Sequence, residues 1–248
     1  MPKQFNENSP EPACEFIACE DCGLYRLCHL ASDGEDPSLS NALIKRRFVL
    51  RRGEYLYRQG DSFHAIYAIR LGSTKTYIIN EDGRTQITSF HGPGELIGLD
   101  AIEAGYFDSE AIALETTSFC EIPFSHFQEL SRQLPDLQHQ MLAIMSRAIL
   151  RGQQMMLLLG KKDATEKLAT YLLSLCRHLD KDASPTPPFK LTMSRGDLGN
   201  HLGLTQETIC RILTRFQEDG IICFQNKTIH FLNHSRLREL ASKTRADR

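Results

Sequence analysis

Two short apolar stripes joined by a glycine, between Ser194 and Phe216, restrict the fold of the C-terminal part of this chain more than any other feature. Ser194 can cap a first helix whose inner side is Leu198 and Leu202. Gly203 then supplies a tight turn, because glycine adopts positive φ at little cost. Thr205 caps a second helix with Thr208 at its third position, and Ile209, Ile212, Leu213 and Phe216 form its apolar face. That leaves Gln206, Glu207, Cys210, Arg211 and Thr214 facing outward. Such a helix-turn-helix presents the early residues of its second helix to a DNA major groove. Arginine can donate two bonds to guanine, and glutamate can accept from cytosine or hold the arginine. Gly220–Phe224 and Thr228–Leu232 then read as a hairpin around Gln225-Asn226-Lys227, which completes a winged helix. The alternative is a structural helical hairpin with a solvated Glu/Arg face.

The cysteines are the second constraint. The chain has eight, of which three are bunched as Cys19-x2-Cys22-x5-Cys28 and another, Cys120, lies far downstream among apolar residues. A leader this short and acidic buries little core, so thiolates gathered there are better explained by something they bind than by packing. Residues 1–40 carry eight acids against Lys3 and Arg26, whereas residues 191–248 carry nine Lys/Arg against six Asp/Glu. The formal net charge of −2 hides that asymmetry, and the small C-terminal excess is compatible with DNA without itself pointing to it. No apolar run approaches the roughly 20 residues needed to span a bilayer, and Met1–Pro12 lacks a secretory apolar segment. The protein is therefore expected in the cytoplasm with no membrane partner. Structural disulfides are disfavoured there, and metal or redox chemistry is the better reading of the cysteines.

From about Phe48 to Pro123 short strands alternate with turns: Ala65–Leu71, Thr74–Ile79 and Thr85–Phe90 are separated by Gly72, by Glu81-Asp82-Gly83-Arg84 and by His91-Gly92-Pro93-Gly94. That pattern predicts an antiparallel barrel or jelly roll. A long helix over Asp136–Gly160 follows, with Leu142, Met145, Ile149, Gly152 and Met156 on one stripe and Met141, Met145, Ala148, Met155 and Leu159 on another. Two overlapping stripes make a face wider than one coiled-coil seam, so one part can pack on the barrel and the other on a second subunit. A plain buried helix within one chain is the competing reading. Ala164–Leu179 reads as a further helix, and Asp180–Pro188 as a proline-rich linker. The expected class is α+β, divided into a cysteine leader (1–30), a β-barrel (31–135), a dimerisation helix (136–160) and a winged helix-turn-helix (161–248). No glycine-rich nucleotide loop, nucleophile elbow or acid/base pair is visible, so an enzyme is not expected.

On Cys19-x2-Cys22-x5-Cys28 with Cys120, the run Leu157-Leu-Leu-Gly-Lys-Lys162, and Gly203-Leu-Thr-Gln-Glu207-Thr-Ile-Cys-Arg211, the chain resembles the FNR branch of the CRP/FNR superfamily of transcription regulators. The resemblance covers nearly the whole chain, and its barrel is of the cyclic-nucleotide-binding type. It implies a [4Fe–4S] cluster held by Cys19, Cys22, Cys28 and Cys120, a homodimer, and release of DNA when oxygen converts the cluster. A structural zinc site on the same cysteines, with no oxygen response, is the competing reading. Cys14 matches no ligand position; Cys176, Cys210 and Cys223 are expected to be ordinary small apolar residues.

The resemblance also implies base contacts from Glu207 and Arg211, within a DNA-facing set that includes Thr205, Gln206, Thr208 and Cys210. The implied target is double-stranded DNA with an inverted repeat of TTGAT. Cys210 stands where serine is common, and sulfur is the poorer hydrogen-bonding partner. Gly152 stands where relatives often carry an acid, whose pairing across a two-fold would oppose dimerisation. The positions that hold a cyclic-nucleotide phosphate and ribose in such barrels correspond to Asp108 and Leu99, so no cyclic nucleotide is expected. RNA polymerase is an implied partner, with the turn Glu81–Arg84 as a candidate contact.

Overall fold

A computed structural model of the chain describes residues 43–179 and 188–242, with side chains described to residue 175 in the first segment. The leader with Cys14, Cys19, Cys22, Cys28 and His29, the side chain of Cys176 and most of the proline-rich linker lie outside the described residues.

Eight strands form the first body: β1 (Arg46–Leu50), β2 (Tyr55–Tyr57), β3 (Ala65–Leu71), β4 (Thr74–Ile79), β5 (Thr85–His91), β6 (Leu96–Ile97), β7 (Glu110–Ala113) and β8 (Thr117–Pro123). They pair antiparallel as two four-stranded sheets, ordered β1-β8-β3-β6 and β2-β7-β4-β5. Alternation along β8 sends successive side chains to opposite faces. Phe119 joins Leu50, Tyr57, Ile69, Ile97 and Phe107 inside the barrel. Cys120 and Ile122 join Ile66 and Ala68 in a separate core with Leu43, Ile44 and the helices that follow. The register agrees, with Ala68 opposite Cys120 and Ile66 opposite Ile122.

Helix α1 (Phe124–Gln133) starts directly after β8 and buries Phe127. Phe124, Phe127, Leu130 and Leu134 recur at helical spacing there, a signal passed over within the span assigned to the barrel. Helix α2 (Pro135–Lys161) has 27 residues and opens on a proline, whose missing N–H costs nothing in a first turn. At 1.5 Å per residue it runs about 40 Å. Leu137 and Met141 fasten its first turns to the sheet core of Cys120, and Leu158 fastens its end to the core of the second body. Helix α3 (Ala164–Leu179) coincides with the predicted span.

The second body contains β9 (Phe189–Lys190), α4 (Arg195–Leu202), α5 (Gln206–Glu218), β10 (Ile222–Gln225), β11 (Thr228–Phe231) and α6 (His234–Ala241). The wing is three-stranded, in the order β10-β11-β9, so chain assigned to the linker side of the boundary contributes a strand. Gln225 belongs to β10, and the turn is Asn226-Lys227 with Asn226 at φ 59°. Helix α6, also unforeseen, packs on α3 and buries Leu237. Leu168, Leu172, Leu198, Ile209, Phe216 and Ile229 share this core.

Gly72 turns β3 into β4 at φ +88°, and a Cβ there would lie 2.7 Å from Thr117 Cα. Positive φ and a backbone clash act together, so Gly72→Ala is expected to destabilise the barrel by about 1–3 kcal/mol from the strained backbone alone. Chemical denaturation followed by tyrosine fluorescence measures it; an unchanged midpoint would show that the turn relaxes freely.

Candidate functional site

The helix-turn-helix is locally determined. Ser194 Oγ accepts from Asp197 N–H at 3.0 Å while Ser194 N–H donates to the Asp197 carboxylate at 3.0 Å, a reciprocal cap on α4. Gly203 takes φ +63°, and Leu204 N–H returns to Gly199 O at 2.8 Å. Gly199 permits that approach: a Cβ there would sit 2.6 Å from Leu204 O. Thr205 Oγ1 accepts from Thr208 N–H at 3.2 Å and lies 2.9 Å from Thr208 Oγ1. These two threonines are therefore engaged in starting α5.

Ile209, Ile212, Leu213 and Phe216 are buried, whereas Gln206, Glu207, Cys210, Arg211 and Thr214 are exposed. The face predicted to read DNA is thus a continuous surface at the start of α5, with Glu207 and Arg211 one turn apart. Arg195 was not singled out from sequence. Its guanidinium lies 4.4 Å over the Phe224 ring of β10 and ties α4 to the wing. Burial lowers its pKa, and the neighbouring Cys210 works the other way.

On α2 the two stripes separate. Leu142, Ile149 and Met156 are 58%, 63% and 67% exposed, and Leu150, Leu157 and Leu159 are exposed beside them. Gly152 lies in the same row, and a Cβ there would have nothing within 4 Å. Met145 is half-buried against the barrel-side core, where Met141 is fully buried. Of the second stripe, Met155 packs against the other core, while Ala148 is exposed. The apolar row Leu142–Ile149–Met156 therefore faces away from the chain's own cores.

Cys120 is the one residue of the predicted cysteine set among the described residues. It is a buried thiol, 5% exposed, in the core that also holds Leu137 and Met141 of α2. Its cross-strand neighbours are Arg47 on β1 and Ala68 on β3. Its soft sulfur suits an iron–sulfur or zinc centre.

At the positions a nucleotide would use, Asp108 is exposed and Leu99 half-buried. Ser109 is buried and donates to the Asp100 carboxylate at 3.0 Å. The interior is filled by rings: Tyr57 stacks on Phe107 at 3.8 Å, Phe63 meets Phe107 edge-on, and Phe48 stacks on Phe119.

The two bodies meet at a polar junction that sequence reasoning missed. His91, at the end of β5, lies 3.1 Å from Thr76 Oγ1 and 3.8 Å from the Glu95 carboxylate. Arg151 of α2 also binds Glu95. Burial would raise Glu95, but His91, the Gly92 N–H and Arg151 outweigh it and hold the carboxyl below its ordinary range. His201 Nδ1 donates to Ile87 O at 3.0 Å, and its ring packs against Phe90 and Tyr171. Burial lowers the pKa of both imidazoles, against a raising influence of Glu95 on His91 and of the Ile87 carbonyl on His201.

Residues 47–133 match the family model of a cyclic nucleotide-binding domain, and residues 166–240 that of a Crp-like helix-turn-helix domain. The transcriptional activator protein Anr of Pseudomonas aeruginosa is 45% identical over 90% of this chain and 92% of its own. The fumarate and nitrate reduction regulatory protein of Escherichia coli K12 is 43% identical over 92% of each chain. Among solved structures, FixK2 from Bradyrhizobium japonicum matches at TM-score 0.72 and 31% identity, over 80% of this chain and 98% of that one. Among the described residues, no helix is long and apolar enough to cross a membrane.

The junction histidines imply a pH dependence. Their native pKa values lie below the ordinary value of about 6.5, so below that pH the unfolded chain binds more protons than the native one. The stability they contribute is present above about pH 6.5 and is lost progressively as pH falls below that value toward the lower native ones. Denaturation between pH 7.5 and 5.5 should show falling stability, with a slope made shallower in His201→Phe. Identical slopes in the two proteins would show that His201 does not titrate in that window.

Proposed function

The chain belongs to the FNR-type CRP/FNR regulators, and from that premise we propose that it is an oxygen-responsive, homodimeric regulator controlled by a [4Fe–4S] cluster. It is a DNA-binding transcription regulator and not an enzyme. Cys19, Cys22, Cys28 and Cys120 would hold the cluster, which when bound supplies an oxygen-labile redox centre. The observation that carries the reading is the placement of Cys120 in one core with Leu137 and Met141. Whatever is ligated at that thiol acts on the same packed side chains that seat α2 on the barrel.

The rest follows from what α2 and α5 present. Leu142, Ile149, Gly152 and Met156 form the seam against a second copy, with Leu159 extending it at the same 3–4 spacing, while Met145, expected in the seam, is half-buried against the barrel-side core and lies at its edge. Two linked α5 helices engage two inverted TTGAT-type half-sites, and linkage raises affinity through effective concentration. Glu207 and Arg211 read base edges; Gln206 and Cys210 lie beside them, and Thr205 and Thr208 hold the start of the helix near the phosphates. The aromatic interior of the barrel, with Asp108 and Leu99 at the ligand positions, supports a scaffold that takes no cyclic nucleotide. The exposed turn at Glu81–Arg84 is the proposed contact with RNA polymerase. The protein acts in the cytoplasm, where the cysteines stay reduced.

Protein purified without air should be brown, with broad visible absorption, and should lose about a hundredfold in operator affinity on exposure to air. Cys120→Ser should be pale and already weak. Unchanged affinity after bleaching would sink the oxygen reading, and a colourless protein containing zinc would support the structural-zinc alternative.

Gly152 brings no like-charge pair to the seam, so the cluster-free chain is expected to remain dimeric at micromolar concentration by sedimentation equilibrium, while at the nanomolar concentrations of an operator titration the weakened dimer dissociates and the linkage is lost. Gly152→Asp, for which the single chain has room, should shift it to monomer. A monomeric unmodified chain counts against the assignment.

A further inference from the structure

β5 is the outer strand of its sheet, and such an edge carries unpaired N–H and C=O groups that a protein must cover. Here the cover comes from the DNA-binding body. The side-chain amide of Asn200, on α4, donates from Nδ2 to Thr85 O at 2.8 Å and accepts from Ile87 N–H at 2.6 Å through Oδ1. One amide thus pairs with the carbonyl before Gln86 and the N–H after it, as a peptide group of a neighbouring strand would. Gln86 Nε2 donates back to Asn200 O at 2.9 Å, and His201 Nδ1 donates to Ile87 O at 3.0 Å. Two residues of α4 therefore satisfy three backbone groups of the barrel edge.

A second strut runs parallel to the first. Lys75 of β4 pairs with Asp197 at 2.5 Å, both side chains being largely buried, and Asp197 is the residue that caps α4 with Ser194. Burial would raise the Asp197 carboxyl, but Lys75 and Ser194 outweigh it and hold it below its ordinary range. Asn200 is in turn rigidly related to α5, because Gly199 O receives Leu204 N–H and Gly203 closes the turn. At its other end β5 finishes at His91, which faces the Glu95 carboxylate bound by Arg151, the residue next to Gly152 on the seam of α2.

We propose that Asn200 is a positioning residue for DNA binding: its amide clamps the helix-turn-helix to the free edge of β5 and so fixes the angle at which α5 is offered to the operator. The clamp does not hold the DNA-binding body together, since most of its buried core comes from α3 to α6 and the wing, with only Leu114 of the barrel and Leu158 of α2 added from outside. It sets orientation, and in a two-fold dimer orientation decides which half-site spacing fits.

The test uses the full-length protein. In Asn200→Ala, hydrogen exchange at the Ile87 amide should accelerate by about tenfold or more, because its acceptor is gone, while the Ile209 and Leu213 amides of α5 keep their protection. In operator titrations, the unmodified dimer should prefer the native spacing over one lengthened by a base pair by about tenfold, and Asn200→Ala should narrow this to within about threefold while still rejecting a mutated half-site. Lys75→Met alters only the barrel side and should relax the spacing preference in the same direction. Unaltered exchange at Ile87 together with an intact spacing preference in both variants would overturn the proposal. The spacing arm rests on the dimeric reading above: if the unmodified protein shows no spacing preference, that reading fails, and the exchange arm, which needs neither DNA nor dimer, still decides the clamp.

Discussion

Helix α2 belongs to two cores at once, and the rest of the molecule is arranged around that constraint. Leu137 and Met141 are locked into the outer face of a barrel sheet, and Leu158 is locked into the core of the DNA-binding body. Between these anchors the helix carries an apolar row that neither core covers. A rigid rod held at both ends cannot move at one without moving at the other. An uncovered row of leucine, isoleucine and methionine of this length is also a surface that water disfavours, so the rod invites a partner along its middle.

The parity of β8 determines what can act on that rod. Phe119 points into the aromatic interior and Cys120 to the outer face beneath α2. A one-residue slip would exchange them and place the thiol among rings, away from the helix. The barrel matches the cyclic nucleotide-binding domain model, and its interior core includes the stacked Tyr57 and Phe107 and their neighbours. Under the proposed function, the input acts on the outer wall of the barrel, at Cys120. That wall touches α2 directly, so no long relay through the barrel is needed.

Much of this was legible from local pattern. β3 and β4 were bounded as found, because two-residue alternation and glycine turns act over short distances. The bounds of α3 and the capped pair α4–α5 were legible for the same reason: Ser194, Gly203 and Thr205 each do their work within a few residues. What escaped the sequence depends on distant chain. Helix α1 is an exception: its Phe124, Phe127, Leu130 and Leu134 recur at helical spacing, but it has no side-chain cap and follows β8 directly, so nothing marks where the strand ends. β9 is two residues long and exists only through pairing with β11. The stripes on α2 were visible as periodicity, but which methionine turns to the barrel and which to solvent depends on where the sheet lies; Met141 and Met156, similar in sequence context, ended on opposite sides. The placement of Cys120 against α2 likewise needed the register of β8, which pairs it with Ala68 on the outer face of the sheet. Asn200 is the clearest case. In a helix it looks like any polar surface residue, and nothing near it announces that it will meet Thr85 and Ile87.

A two-fold reader needs two separate geometric conditions, and this chain meets them with different chemistry. In the proposed dimer, the seam on α2 is apolar and spread over several turns; it would set the axis between copies but be tolerant of rotation about each helix, since dispersion and hydrophobic contacts are weakly directional. The reading helix is displaced from that axis, so any looseness between α2 and α5 would be magnified at the DNA. Hydrogen bonds between rigid groups suit the second condition because they are directional. The amide of Asn200 on a strand edge, the imidazole of His201 on the same strand, and the Lys75–Asp197 pair supply directional restraints between the two bodies, with the Ser73–Thr192 hydrogen bond and the Lys190–Glu115 pair beside them. Affinity between copies and aim toward DNA are thus carried by separable interactions. A change at the seam, where each substitution acts twice, can alter the dimer population while leaving the aim of each reading helix intact.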